Sequence, residues 1–278
     1  SLSFGLVRDP KSGHIVFKAS PISLEEYDPF RQQHVREVEV IPRNVVSGSD
    51  EVPASCCEVK NVCFSGNGTA MITVEDRPRN SAGEVSQCLK FWRFNRSTKS
   101  YEVDTRVDKP HGDQVTDLAY HPVDDLLVTS SLDGTFKVWA RVHSGTANSA
   151  ASWICRSVGF YKRQKQATSC AFSSDGSLLA VSFGGVVALW DSYTNNLLGS
   201  LENPGSSEDI RCVRFLTGSP SLVGFTRSSL NMWDLLSCTL LWSQHLNVHA
   251  MAVDPESPRF AVCVNRRKKD RGEKYSYL

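Results

Sequence analysis

Residues 111–140 read HGDQVTDLAYHPVDDLLVTSSLDGTFKVWA. Three short runs, VTDLAY, LLVTSS and TFKVWA, are separated by the turn segments HPVDD and LDG. The runs are rich in Val, Leu, Thr and aromatics and too short for a globular helix, so they predict consecutive antiparallel strands. Asp133-Gly134 predicts a tight hairpin, because a two-residue primed turn needs positive φ, which Asp and Gly tolerate. A meander of this size cannot bury its own faces and is expected to recur. It does.

Ten-residue windows starting at Phe64, Tyr120, Phe172, Phe215 and Val253 read FSGNGTAMIT, YHPVDDLLVT, FSSDGSLLAV, FLTGSPSLVG and VDPESPRFAV. Each opens on an apolar residue closing a strand, passes through a turn of Gly, Pro, Asp and Ser, and resumes with apolar residues. The starts are separated by 56, 52, 43 and 38 residues. That drift fits a repeat of about 40 to 45 residues with insertions in the first two intervals. Downstream of four windows stands a tryptophan, in FWRF at Trp92, VWAR at Trp139, LWDS at Trp190 and MWDL at Trp233. A polar turn and a further apolar segment follow each, so four strands per repeat can be counted.

These features resemble the WD-repeat β-propeller family, built from four-stranded blades of about that length. Trp190-Asp191 and Trp233-Asp234 keep the literal dipeptide, whereas Trp92-Arg93 and Trp139-Ala140 depart from it. The resemblance implies an all-β propeller of roughly six to seven blades, with terminal blades incomplete or closed by both chain ends. Residues 1–278 would form that single domain. It also implies a hydrogen-bonded structural relay of His111, Thr129 (or Ser131 on the same strand face), Asp133 and Trp139. The segments leading to Phe172 and Phe215, KRQKQAT and GSSEDIR, lack the histidine, so packing is expected to replace the relay there.

The ends are less regular. FGLV against HIVFKA predicts a hairpin, PISLEEYDPFRQQH a polar loop with weak helical potential, and VREVEVIP a strand. HAMAVD and RFAVCV predict two strands before a basic loop and the terminal YSYL, an ending expected inside or just after a blade strand.

Composition narrows the function. A chain of 278 residues, 40% apolar and with net charge +1, is an ordinary globular protein and argues against nucleic-acid binding by the whole surface. None of the nine cysteines forms a CxxC pair. Buried reduced thiols in a reducing compartment are expected, not a disulfide framework or a metal site. No long apolar run or signal-peptide pattern calls for a membrane. There is no GxxxxGK[ST] loop, no GxGxxG after a strand and no HExxH helix, so no cofactor, metal or small-molecule substrate is expected. His111, Ser131 and Asp133 could be written as a catalytic triad, but no GxSxG elbow presents a nucleophile and the relay accounts for all three. The chain reads as no enzyme.

Function is therefore sought in the loops. Residues 264–274, VNRRKKDRGEK, carry Arg266, Arg267, Lys268, Lys269, Arg271 and Lys274 against one Asp and one Glu. This loop could contact phosphates or an acidic partner, be a solvated hairpin loop, or serve as a nuclear address. Tyr161-Lys162-Arg163-Gln164-Lys165 is a weaker basic cluster, read first as a satisfied loop. Residues 75–87, EDRPRNSAGEVSQ, form a polar insertion suited to partner contact.

The non-motif residues of KPHGDQVTDLAYHPVDDLLVTSSLDGTFKVWA, SWICRSVGFYKR and NMWDLLSCTLLW resemble those of nucleolar WD-repeat subunits of the small-subunit processome. The resemblance implies a scaffold in the nucleus and nucleolus, the second propeller of a longer protein. It would act in polymerase I transcription of pre-ribosomal RNA and in pre-18S processing. Its partners would be other processome subunits, with direct contact to pre-rRNA or U3 snoRNA through basic loops. The competing expectation is a generic intracellular scaffold that reads a peptide motif and has no RNA partner.

Overall fold

The computed structural model describes residues 5–42, 57–77, 86–142, 152–162 and 165–264. These form two compact units, Ser1–Leu127 with Val138–Arg156, and Val128–Lys137 with Ser157–Leu278. The described residues make five four-stranded sheets and one two-stranded sheet.

In the first unit, β1 (Val7–Arg8), β2 (Ile15–Ser20), β3 (Ser23–Asp28) and β4 (Gln33–Glu39) form the first sheet in sequence order. The second follows in the same way with β5 (Glu58–Phe64), β6 (Ala70–Arg77), β7 (Ser86–Asn95) and β8 (Ser100–Asp108). The third sheet, of which Val128–Lys137 and residues 157–160 fall in the second unit, holds β9 (Val115–Tyr120), β10 (Leu126–Ser131), β11 (Thr135–Val142) and β12 (Ser152–Phe160), the strands read from residues 111–140 and their neighbour. In the second unit come β13 (Ala167–Phe172), β14 (Leu178–Phe183), β15 (Val186–Asp191) and β16 (Leu197–Glu202). Then come β17 (Cys212–Phe215), β18 (Ser221–Phe225), β19 (Ser229–Asp234) and β20 (Thr239–His245), and the pair β21 (Val248–Val253) and β22 (Phe260–Val264).

The N-terminal expectation is corrected. PISLEEYDPFRQQH is neither loop nor helix; it supplies β3, its turn and the start of β4, so the first sheet is complete. Of the hairpin FGLV against HIVFKA, Phe4 lies outside the described residues, and among those described Val7 stands opposite Val16 and Arg8 opposite Ile15. A groove of about 450 Å³ lies beside Phe17–Pro21, where β2 has no such partner among the described residues.

The sheets bury both faces. Leu24, Val59, Met71 and Trp92 share one core, and Ile72, Leu89, Phe91, Leu127 and Trp153 the next. In the second unit Leu189, Leu201, Val213 and Trp233 share a core, and Val223, Phe225 and Leu230 pack with Val248. Alternate residues of β6 and β18 serve opposite cores, and β10 and β18 are buried throughout. The fourth strands are the exposed edges, and four of them carry a β-bulge at one place. The ladder shifts opposite Tyr27, Trp92, Trp190 and Trp233, leaving Val35, Asp104, Leu198 and Leu241 unmatched. Such bulges twist an edge away from unwanted strand pairing.

Candidate partner-binding surfaces

Four turns joining third to fourth strands share one construction. Each starts at an Asx residue and reaches positive φ four residues later, at Gln32, Lys99, Asn195 and Cys238. Asp28 Oδ1 accepts from the N–H groups of Phe30 (2.9 Å) and Arg31 (3.1 Å). Asn95 Oδ1 accepts from Ser97 N–H at 2.9 Å, and Asp191 Oδ1 from Tyr193 (3.0 Å) and Thr194 (2.7 Å). Asp234 accepts from Leu236 and Ser237. The Asp of the WD dipeptide is thus a turn cap. Tyr27-Asp28 takes its place in the first sheet, which the sequence reading missed because tyrosine stands for tryptophan among glutamates.

The tryptophans differ in their polar partner. Trp92 Nε1 donates to Thr73 Oγ1 at 2.9 Å, and Trp233 Nε1 to the Glu202 carbonyl at 3.0 Å. Trp190 Nε1 is buried with no hydrogen-bond partner among the described residues. Thr73 lies two residues beyond the cross-strand partner of Trp92, where the fourth sheet has Val181 and the fifth Gly224.

The third sheet's nominated residues are largely interior. His111, Thr129, Ser131 and Trp139 are buried, and Ser131 is 0% exposed, which denies any substrate access to its hydroxyl. Ser131 Oγ accepts from Asp133 N–H at 3.2 Å, and Asp133 Oδ1 from Thr135 N–H at 2.8 Å, so both organise the hairpin turn. His121, not singled out in sequence, is 1% exposed and accepts Asp124 N–H on Nδ1 at 2.9 Å, capping the turn after β9.

In the fifth sheet packing has not simply replaced the relay. Glu208 stands four residues before β17, as His111 stands four before β9. Its carboxylate accepts from Thr226 Oγ1 (2.7 Å), Ser228 Oγ (2.9 Å) and Ser228 N–H (3.1 Å). The Thr226 and Ser228 hydroxyls hold its carboxyl below the usual range. A glutamate in GSSEDIR was legible only as charge, since its partners lie some 20 residues on.

Among the nominated loops, Arg266, Arg267, Lys268, Lys269, Arg271 and Lys274 lie outside the described residues, as do Arg163 and Gln164. Tyr161 packs against Phe183 at 5.9 Å and Lys162 lies over the Tyr161 ring, in keeping with a satisfied loop. Of the 75–87 insertion only the base is described. Gln87 bridges its two sides, donating to Asp76 (2.5 Å) and accepting Val115 N–H (2.7 Å). Below it, buried Lys90 pairs with Glu75 and donates to the Val40 carbonyl at 2.8 Å.

Burial pushes the thiols of Cys63 and Cys88 up, Cys88 to about 11, which makes neither a ready nucleophile. Cys155 and Cys238 are exposed, whereas Cys57, Cys88 and Cys170 are buried. Among the described residues no group of His, Cys, Asp and Glu has the makings of a metal site, and no helix is long and apolar enough to cross a membrane.

Repeated four-stranded antiparallel sheets, four of them with the Asx-capped turn and most with its tryptophan, define the WD-repeat β-propeller class. A chain of the crystal structure of the mitotic checkpoint complex has the same fold, with TM-score 0.66 and 12% identity, over 95% of this chain and 70% of that one. Residues 6–271 match the family described as the WD repeat-containing protein 75 second beta-propeller, and the chain belongs to that family. WD repeat-containing protein 75 of Mus musculus is 34% identical over 94% of this chain and 32% of its own length. U3 small nucleolar RNA-associated protein 17 of Schizosaccharomyces pombe is 24% identical over 82% of this chain and 30% of its own. The chain thus spans about a third of the length of these relatives.

Proposed function

We propose that this chain is a non-catalytic interaction scaffold in ribosome biogenesis, part of a U3-snoRNA-associated small-subunit processome subunit. It acts in the nucleolus, in polymerase I transcription of pre-rRNA and in pre-18S processing. The observation that carries this reading is the family match over residues 6–271, joined to a relative whose name ties it to U3 small nucleolar RNA. The sheets supply rigid edges and loop tips to which several partners can bind at once, and chemistry at buried Ser131 is not required. We assign His111, Thr129, Asp133 and Trp139 to a structural relay, and Arg266, Arg267, Lys268 and Lys269 to partner contact.

The test is purification of the tagged chain from cells. Co-purification of U3 RNA and processome proteins, with nucleolar concentration, is expected. Diffuse localisation without ribosome-biogenesis partners would overturn the reading in favour of a generic peptide-reading scaffold. Charge reversal at Arg266, Arg267, Lys268 and Lys269 is expected to weaken association, and unchanged association would remove that loop from the interface.

A further inference from the structure

We propose that the turn end of the first two sheets binds single-stranded RNA, with Phe30 stacking on a base and Lys11, Arg31, Arg93, Arg96 and Lys99 meeting phosphates. That the nucleic acid is RNA rests on the ribosome-biogenesis reading; the surface itself rests on geometry. In an antiparallel meander the first-to-second and third-to-fourth turns fall at the same end, so the tips of four turns gather there. Three contacts lock them together. Arg36 Nη1 donates to the Lys99 carbonyl at 2.6 Å, the Lys11 ammonium lies 3.3 Å from the centre of the Phe94 ring, and Tyr101 OH donates to the Gly68 carbonyl at 2.9 Å. Gly68, at φ +64°, has room for nothing larger, since a β-carbon there would fall 2.4 Å from Lys11 Cβ.

The charges are sorted by burial. Asp9, Glu26 and Asp28 are all buried and engaged. Asp9 accepts from Lys11 N–H and Ser12 Oγ, Glu26 pairs with Arg36 and His14, and Asp28 caps its turn. Glu25 pairs with His34. Glu37, opposite Glu25, and Glu102 are exposed carboxylates, and Glu102 accepts from Asn95 Nδ2 at 2.8 Å and Thr98 Oγ1 at 3.1 Å. The cationic tips face solvent: the Arg31 side chain, whose Nε lies 3.8 Å from Asp28 Oδ2, is 77% exposed, and Lys11, Arg93, Arg96 and Lys99 are exposed as well.

Phe30 chooses between partners. Its ring is 85% exposed beside Arg31, on a turn whose backbone Asp28 pins, and it has no ring partner among the described residues. An acidic peptide would be served by the cations alone. An exposed ring on a pinned turn, next in sequence to Arg31, suits an unpaired base joined to phosphates, and a duplex would hide its base faces from that ring.

The test measures binding of the 278-residue chain to a labelled single-stranded RNA, an RNA duplex of equal length and a polyglutamate peptide, by fluorescence anisotropy across a salt series. Two variants are compared, Arg31→Glu with Arg96→Glu and Lys99→Glu, and Phe30→Ala; thermal melts check that each stays folded. The triple reversal is expected to weaken single-strand binding at least about tenfold and to lower the slope of log affinity against log salt by roughly 2, for three lost phosphate contacts. Phe30→Ala is expected to weaken single-strand binding by about fivefold or more with the salt slope unchanged. Single-strand affinity unmoved by either variant overturns the proposal, as does polyglutamate binding where RNA does not bind, which would assign the surface to an acidic protein. The two readings fail separately. If the chain does not bind single-stranded RNA in solution, yet U3 RNA still co-purifies, the RNA surface is refuted and the processome role stands. Absent co-purification with intact RNA binding counts against the processome role alone.

Discussion

Lys90 carries an ammonium into the interior of the second sheet, where it is 6% exposed and its partner Glu75 is 1% exposed. Burial pushes the Glu75 carboxyl up, and the Lys90 charge works against that shift. Removing one member strands the other charge in a low-dielectric site, whereas removing both leaves an apolar space that can pack. Lys90→Met is expected to lower stability by about 3–5 kcal/mol, and adding Glu75→Leu to restore most of it. Urea denaturation of the single and double variants checks this; equal instability of the two would show that the groups are not held as a pair. The residues were legible only as a polar strand end, because the Lys90 hydrogen bond goes to Val40, 50 residues away.

At the scale of the element, the same hairpin register recurs with different polar solutions. Trp92 has Thr73 within reach, while Trp190 has Val181 at the matching step and leaves its indole N–H without a partner among the described residues. Val181→Thr is nearly isosteric and places a hydroxyl where the second sheet has one, so a gain of about 1 kcal/mol is expected. The mirror change, Thr73→Val, orphans the Trp92 indole and is expected to cost about 1–3 kcal/mol. Thermal midpoints of the two variants moving in the same direction would refute the shared register. Strands, tight turns and the tryptophan steps were readable in sequence because they depend on neighbours a few residues apart. Tyr27-Asp28 was not, because Glu25 and Glu26 make β3 look solvated. Only the pairing of Glu26 with His14 and Arg36, and of half-buried Glu25 with His34, shows why the strand can hold them.

For the whole molecule, the turn caps sum to an acid dependence. Asp28, Asp175, Asp191, Asp234 and Asp254 are each held below the usual carboxylate range, Asp28 and Asp191 chiefly by backbone N–H donors and the others chiefly by Ser hydroxyls. Glu208 joins them through Thr226 and Ser228. A carboxyl lowered in the folded state contributes stability above its unfolded pKa, about 4, and that stability is lost as pH falls through the folded value. Through these groups, urea midpoints are expected to hold from neutral pH to about 5 and to drop below about 4. Asp191→Asn and Glu208→Gln should make that drop shallower, and a drop unaltered by both would place the acid sensitivity elsewhere. The sequence alone determined the repeat, the strands of the four middle sheets and their tight hairpin turns, since periodicity and the φ preferences of Gly, Asp and Asn act over a few residues. Tertiary structure decided which charges are buried in pairs, which hydroxyl serves each tryptophan, and which loop tips stand in solvent with Phe30 among them. Those outcomes depend on groups brought together from distant parts of the chain, and burial changes the energy of a charge far more than its neighbours in sequence do.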